Sequence, residues 1–440
     1  MKKLLAFALL FTSATIYAQQ PQSSPTTAVT ATTPLERRAN EVCAQFRAAP
    51  TDYDKLFTAS FLAQVPTEQL NQIFAGYFAQ MGRCTGVKLI KRDTANAGSF
   101  ELTFEKGYTV PAQLAVEASV PYLLEGAFVG NPMRASASLT DIVTELKTFP
   151  GETSFLFAKL SNTQITPVVA HNADKPLAIG SAFKLYILSE LTRGLKANER
   201  KLSDVVMLDP KAASLPSGIM HTWVAGSPVT LNTLATLMIS ISDNTATDQL
   251  LAHLGREKVE SVQTITGHSK PELNMPFLST LEMFKLKGEP TGKADEQYLA
   301  LDPKARRQFL STQIAAVKRE DVKPFADGKP SHIDTIEWFA SANDLARVMN
   351  YLRVQTENDP KTAQIREILS INPGLKIPRD KWRYAGYKGG SEPGVLTMTY
   401  LLQSTSGEWF VLSMEWNNKQ AALEQGKFFA LMQRALQIAQ

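Results

Sequence analysis

Three short polar segments, widely separated along the chain, constrain its fold more than any other feature: Ser181-Ala182-Phe183-Lys184, Ser242-Asp243-Asn244 and Lys388-Gly389-Gly390-Ser391. Each supplies part of one chemistry, so a fold that uses them must bring them to a common cleft. The first lies in a run, 176–191, that is strongly helix-forming from Phe183 onward, and on a helix positions i and i+3 share a face. A serine is a poor nucleophile until a neighbouring base takes its proton, and a partly desolvated lysine is such a base. In the second segment, 61 positions after Ser181, Ser242 offers a hydroxyl that can pass a proton to a leaving group. The Asn244 amide can hold both a lysine and a substrate carbonyl. The third precedes a strand expected at 395–403. There Gly389 and Gly390 let a substrate lie close against a strand edge, Lys388 supplies positive charge for a carboxylate, and the backbone N–H of Ser391 can face a developing oxyanion. Taken singly, each has an ordinary alternative: coincidence on a surface helix, a helix N-cap, or a turn.

Together and in this order the segments resemble the S-x-x-K, S-D-N and K-T-G set of class A β-lactamases and penicillin-binding proteins. The first two are intact and the third reads K-G-G. Met238-Ile239-Ser240-Ile241 with Asn244-Thr245-Ala246-Thr247-Asp248 is similar to the corresponding helix junction of those enzymes, as are Val229-Thr230-Leu231 and Ser341-Ala342-Asn343-Asp344-Leu345-Ala346. The resemblance covers about residues 138–440. It implies a mixed α/β (α+β) fold, a β-lactamase/transpeptidase-like domain with a central antiparallel sheet flanked by helices. It also implies roles. Ser181 would be the acylated nucleophile and Lys184 its general base. Ser242 would relay a proton to the leaving group, Asn244 would position Lys184 and substrate, and Lys388 would bind the substrate carboxylate or assist Ser242. The backbone amides of Ser181 and Ser391 would form the oxyanion hole. The implied activity is that of a serine hydrolase opening β-lactams or related amides and esters through an acyl-enzyme, with no cofactor. The alternatives are a cell-wall D-alanyl peptidase or esterase with a peptidoglycan-like substrate, and a weakly active penicillin-binding protein that is acylated without turnover.

The pattern departs from the family in two places. Class A enzymes carry a glutamate on a loop between the second and third motifs that activates the deacylating water. Here Pro271-Glu272-Leu273-Asn274 matches the end of that loop's E-P-E-L-N pattern, which puts Lys270 at the deacylating position and leaves Glu272 as the candidate base. Lys388 also follows Ser242 by 146 positions, some tens more than a compact member needs. The excess falls at about 276–339, an enlarged loop that includes the polar stretch 287–293. A lid over the site and a surface decoration are both open readings.

The rest of the chain sets the context. Lys2 and Lys3, an apolar run at 4–11 and small residues at 12–18 read as a signal peptide cleaved near Ala18, although Ile16 is large for that position. The protein is therefore expected in the periplasm or secreted, without a stable membrane span, since no later stretch reaches the roughly 18 apolar residues needed. Residues 19–34, QQPQSSPTTAVTATTP, read as a flexible tether. Helical spacing at 38–48 and 67–81, the latter with Leu70, Ile73, Phe74, Tyr77 and Phe78 on one face, precedes strand-like runs at 87–91, 99–104, 110–117 and 122–129. This gives a small α+β domain over 35–135, whose order resembles the cone-shaped domains of the nuclear-transport-factor-2 or steroid-isomerase type. Asp52, Asp54 and Glu68 read as solvated or capping residues. Cys43 and Cys84 either form a disulfide, which export permits, or remain two buried thiols. The five histidines show no metal-ligand spacing. The net charge of +4, or +2 without Lys2 and Lys3, gives no reason to expect nucleic acid. In the catalytic domain a helix is expected at 138–148, strands at 154–160, 163–170, 395–403 and 409–416, and a final helix at 421–439. Strands from both ends should therefore close one antiparallel sheet around a helical centre.

Overall fold

The computed structural model describes residues 33–47, 53–130, 132–134 and 138–439. The expected leader, nearly all of the expected tether and Asp52 lie outside them. The chain divides between residues 135 and 136 into two compact units.

In the first unit, α1 (Pro34–Cys43) and α2 (Thr67–Met81) precede β1 (Cys84–Arg92), β2 (Ala97–Phe104), β3 (Tyr108–Val116) and β4 (Leu124–Val129). The strands lie side by side in that order, antiparallel throughout. Helix α1 begins earlier than residue 38 and ends before residue 48. The Thr33 side chain accepts from the Glu36 N–H, the Glu36 carboxylate accepts from the Thr33 N–H, and Pro34 occupies the first turn. Pro34 therefore belongs to the helix and not to the tether. On α2 the spacing holds, burying Leu70, Phe74, Tyr77 and Met81. Phe46 meets Phe74 and Phe104 edge-to-face, each at 4.9 Å between ring centroids. Asp54 and Glu68 are exposed. Cys43 and Cys84 form a disulfide between the end of α1 and the start of β1, across a sequence separation of 41. Closing a loop of that length removes about 4 kcal/mol of unfolded-chain entropy in the chain-entropy model.

The second unit opens with α3 (Leu139–Leu146), whose start is fixed by a Ser138/Asp141 capping box. β5 (Glu152–Leu160) and β6 (Ile165–His171) follow, and then the helices α4 (Lys184–Lys196), α5 (Leu231–Ser240), α6 (Asn244–Leu254), α7 (Thr280–Gly288) and α8 (Ala342–Gln355). The unit ends with β7 (Trp382–Glu392), β8 (Val395–Ser404), β9 (Trp409–Asn417) and α9 (Gln425–Ile438). The five strands form one antiparallel sheet in the order β7-β8-β9-β5-β6. The first and last strand-bearing segments of the unit pair in continuous register, from Glu152 with Asn417 to Leu160 with Trp409, so the expected closed sheet is present. Successive side chains of a strand point to opposite faces. On β9, Leu412 accordingly packs with Ile142, Leu146, Phe428 and Leu436 beneath α3 and α9. Val411 packs on the other face with Phe183, Leu188, Met238 and Leu345.

Two expectations need correction. The Lys388-Gly389-Gly390-Ser391 segment is neither a turn nor a lead-in to a strand. It lies within β7, an eleven-residue edge strand, which its glycines concealed because glycine has low strand propensity. The stretch 276–339 is not a loop either. It contains α7, Ala294–Leu299 and Pro303–Phe309, with Tyr298, Leu310, Ile314 and Val322 buried in the main core.

Candidate active site

A cleft of about 740 Å³ is lined by residues of all three motifs, among them Ser181, Ser242, Asn244, Lys388, Gly389, Gly390 and Ser391. Ser181 sits on a 3₁₀ turn, Gly180–Phe183, that runs directly into α4. Lys184 opens α4, so the S-x-x-K segment spans a junction in which side chains three apart eclipse one another. Ser181 is half-buried at the cleft and Lys184 is fully buried.

The Lys184 amine points across to the second motif. Its Nζ lies 2.7 Å from the Ser242 carbonyl oxygen, 3.1 Å from Ser242 Oγ and 2.7 Å from Asn244 Oδ1. Burial, and next the nearby charge of Lys388, hold this amine well below the ordinary lysine range, while Asp248 and Asp243 pull the other way. A lysine so placed favours its neutral form and has a lone pair to offer.

The second motif is both a helix cap and part of the site. Asp243 N-caps α6, its Oδ1 accepting from the Ala246 N–H at 2.9 Å. Its Oδ2 accepts from the N–H groups of Ile219 at 2.7 Å and Met220 at 2.8 Å. That cap fixes the residues on either side. Asn244 Nδ2 donates to the Leu215 carbonyl at 3.2 Å, which orients its Oδ1 toward Lys184. Ser242 is held in the left-handed region at φ +57°, an uncommon conformation for a serine and one that tends to mark functional sites.

Lys388, on β7, reaches the same hydroxyl from the other side. Its Nζ donates to Ser242 Oγ at 3.0 Å and to the Gly389 carbonyl at 2.8 Å, and burial pushes its amine down to about 7. A single hydroxyl thus bridges two buried lysine amines. With Lys184 neutral and Lys388 protonated, Ser242 can accept from one and donate to the other, an arrangement suited to passing a proton along the row.

The oxyanion-hole candidates also converge. A Cβ on Gly390 would stand 2.6 Å from the Ser181 nitrogen, and one on Gly180 would stand 3.0 Å from the Ser391 nitrogen. Strand and turn therefore touch backbone to backbone, with Gly180 itself at φ +47°.

Other expectations are not met. Glu272 is exposed and does not line the cleft, and Lys270 is likewise exposed and outside it. The expectation that Glu272 serves as a base has no geometric support, because the 3₁₀ turn Pro271–Asn274 directs Asn274, not Glu272, inward. The stretch 276–339 is more than decoration: Met283, Phe284, Phe325 and Trp338 line the cleft. Trp338 stacks on Phe183 at 3.7 Å between centroids. No motif marked these residues, nor the cleft carboxyls of Glu337 and Glu392. The one available signal was the unexplained length of the segment. Among the described residues no group of three or more His, Cys, Asp or Glu is placed to hold a metal ion, and no helix is long and apolar enough to cross a membrane.

A family model described as a β-lactamase enzyme family matches residues 134–435. No curated protein matches. Among solved structures, a β-lactamase from Sphaerobacter thermophilus is similar at 19% identity, over 68% of this chain and 96% of that one, with a TM-score of 0.46. A β-lactamase from Chitinophaga pinensis is 12% identical over 69% and 98%, TM-score 0.47. A single-substitution mutant of PBP-A in an acyl-enzyme complex with penicillin G is 16% identical over 68% and 94%, TM-score 0.46.

Proposed function

This chain belongs to the β-lactamase enzyme family, and on that premise we propose that it is an exported serine hydrolase that opens β-lactams, or related amides and esters, through an acyl-enzyme on Ser181. The observation that carries the reading is the Ser242 hydroxyl held between two buried lysine amines, at 3.1 and 3.0 Å, in the cleft that also holds Ser181. Neutral Lys184 takes the proton of Ser181 as its Oγ bonds to the substrate carbonyl carbon. The N–H groups of Ser181 and Ser391 bind the oxyanion. As the intermediate collapses, the carbonyl carbon's bond to the leaving nitrogen or oxygen breaks. The leaving atom takes a proton from Ser242, which is replenished by the now protonated Lys184 at 3.1 Å, while Lys388 holds the hydroxyl from the other side. Water then releases the acyl group and returns Ser181 to its hydroxyl form.

The test is exposure of purified protein to a chromogenic cephalosporin and a simple ester, followed by intact-mass spectrometry. We expect an adduct on Ser181, and Ser181→Ala should abolish adduct and turnover while leaving the melting temperature nearly unchanged. Full activity in that variant refutes the assignment.

A second reading draws support from the position of Glu272 outside the cleft. Without a loop carboxylate to activate water, the acyl-enzyme would be long-lived, as in a penicillin-binding protein acylated without turnover or a slow D-alanyl peptidase. The adduct's lifetime separates the two. Residues 1–18 are proposed to direct export, with cleavage near Ala18, which N-terminal sequencing of the periplasmic or secreted form would check. The first unit is proposed to be a nuclear-transport-factor-2-like cone that recognises a ligand.

A further inference from the structure

One residue of the cleft wall is held in a conformation that its side chain disfavours. Phe325 lines the cleft and is only half-buried, and its backbone sits in the left-handed region at φ +57°. For an aromatic residue that is an outlier. Such strain persists only where the surroundings over-determine it, and it clusters at ligand clamps. Among the described residues, Ser242 is the only other non-glycine lining the cleft at positive φ, and Ser242 is the residue to which the proton relay is assigned.

The surroundings of Phe325 do over-determine it. Thr280, Met283, Phe284 and Lys287 stand at i, i+3, i+4 and i+7 on α7, along one face of the helix, and the first three line the cleft. The face begins beside the second motif, where Thr280 Oγ1 donates to the Asn244 carbonyl at 3.4 Å. It ends against Phe325. Phe284 meets that ring edge-to-face at 6.2 Å, and the Lys287 ammonium lies 5.5 Å from its centroid. The ammonium is fixed in turn by Glu337 Oε1 at 3.1 Å and Glu392 Oε1 at 2.7 Å, all three side chains being buried. The Lys323 N–H donates to the Gly288 carbonyl at 3.0 Å, and the Gly328 N–H to the Phe325 carbonyl at 2.9 Å. A Cβ on Gly288 would stand 2.5 Å from the Pro324 nitrogen, so the end of α7 and this turn meet backbone to backbone.

The position selects which part of a substrate meets the ring. Ser242 and Lys388 serve the leaving group at one end of the site. Glu392 ends β7, one residue beyond Ser391. Through Lys287, the Phe325 wall is therefore tied to the strand about 13 Å beyond Lys388, toward the acyl side of the carbonyl. Beside Phe325 the lining is apolar, from Met283, Phe284 and Trp338, and Trp338 is itself stacked on Phe183.

We infer that Phe325 is a specificity-determining residue, selecting substrates whose acyl group carries an aromatic ring that packs against its own. The assignment to the acyl group rests on the proposed acyl-enzyme reading, whereas the affinity for an aromatic ring does not. Covering a phenyl group on such a wall is worth roughly ten- to a hundredfold in affinity.

Two cephalosporins test this: 7-phenylacetamidocephalosporanic acid and 7-acetamidocephalosporanic acid share a nucleus and a leaving group and differ by one phenyl ring. On the full protein, the second-order rate of adduct formation on Ser181, read from intact-mass time courses, should favour the phenylacetamido compound by about tenfold or more. Phe325→Ala should bring the ratio of the two rates close to one. Phe325→Gly, which suits φ +57°, takes its place if that variant does not fold. Calorimetry on Ser181→Ala protein, with and without the Phe325 substitution, compares the equilibrium affinities of the same two compounds. Equal rates in the wild type overturn the assignment, as does a ratio that survives in a folded Phe325 variant because both rates fall alike. A Phe325-dependent affinity for the phenylacetamido compound with no adduct from either leaves the aromatic wall standing and refutes the acyl-enzyme reading, along with the assignment to the acyl group. No adduct and equal affinities overturn both.

Discussion

Replacing Gly390 with alanine should separate the two halves of the oxyanion hole. A methyl at that position would stand 2.0 Å from the Ile179 carbonyl oxygen and 2.6 Å from the Ser181 nitrogen. Carbon and oxygen come no closer than about 3.3 Å in a favourable contact, so β7 and the Ser181 turn must part by roughly 1 Å. Both neighbours are backbone, and no rotamer change relieves the clash. A 1 Å misplacement of reacting groups can cost about 10²-fold, and loss of one oxyanion donor about 10²- to 10³-fold. We therefore expect Ser181 acylation to slow by about 10²- to 10³-fold, equivalent to about 3–4 kcal/mol of transition-state stabilisation. Overpacking should also lower stability by about 1–3 kcal/mol. Stopped-flow adduct formation with a chromogenic cephalosporin, read beside a thermal melt, measures both. Acylation within about threefold of wild type would mean that the Ser391 N–H does not meet the oxyanion.

The buried lysine amines make stability depend on pH. The folded Lys388 amine is pushed from 10.5 down to about 7, so between those values the unfolded chain holds a proton that the folded chain resists, and stability should rise with pH across that window. Lys388→Met removes this contribution. It should melt at or above wild type near pH 7 while acylating poorly, and its advantage should shrink toward pH 10; an advantage that grows with pH would refute the placement of this amine. Glu272→Gln should leave deacylation unchanged within about twofold, because the side chain is exposed and outside the cleft. A slowing of an order of magnitude or more in adduct decay would show that this turn closes over the site.

Ser181, Lys184, Ser242 and Asn244 were legible because the local pattern and the chemistry agree: a helix start, a capping aspartate and polar groups that make sense only in company. The sheet was legible where strands are apolar on both faces, as in β8 and β9. β7 was not, since three of its eleven residues are glycines, and the property that weakens the strand signal is the one that lets the Ser181 turn approach. The start of α1 was readable in Thr33-Pro34-Leu35-Glu36, where proline opens the helix, but the preceding Thr- and Pro-rich composition obscured it. The Glu337–Lys287–Glu392 cluster had no signal at all. Its members lie 50 and 105 positions from Lys287, and each alone reads as an ordinary surface charge.

The placement of β9 has a consequence for how the molecule comes into being. Among the described residues this strand is the last in sequence, yet it occupies the middle of the sheet, between β8 and β5. A nascent chain that lacks residues 409–417 can pair β7 with β8 and β5 with β6 but has no central strand to join the two pairs, so neither the complete sheet nor the cores above and below it can form. Assembly of the catalytic unit must wait until residues 409–417 have been made. Truncation within that stretch should therefore leave a polypeptide that never matures, and not a weakened enzyme.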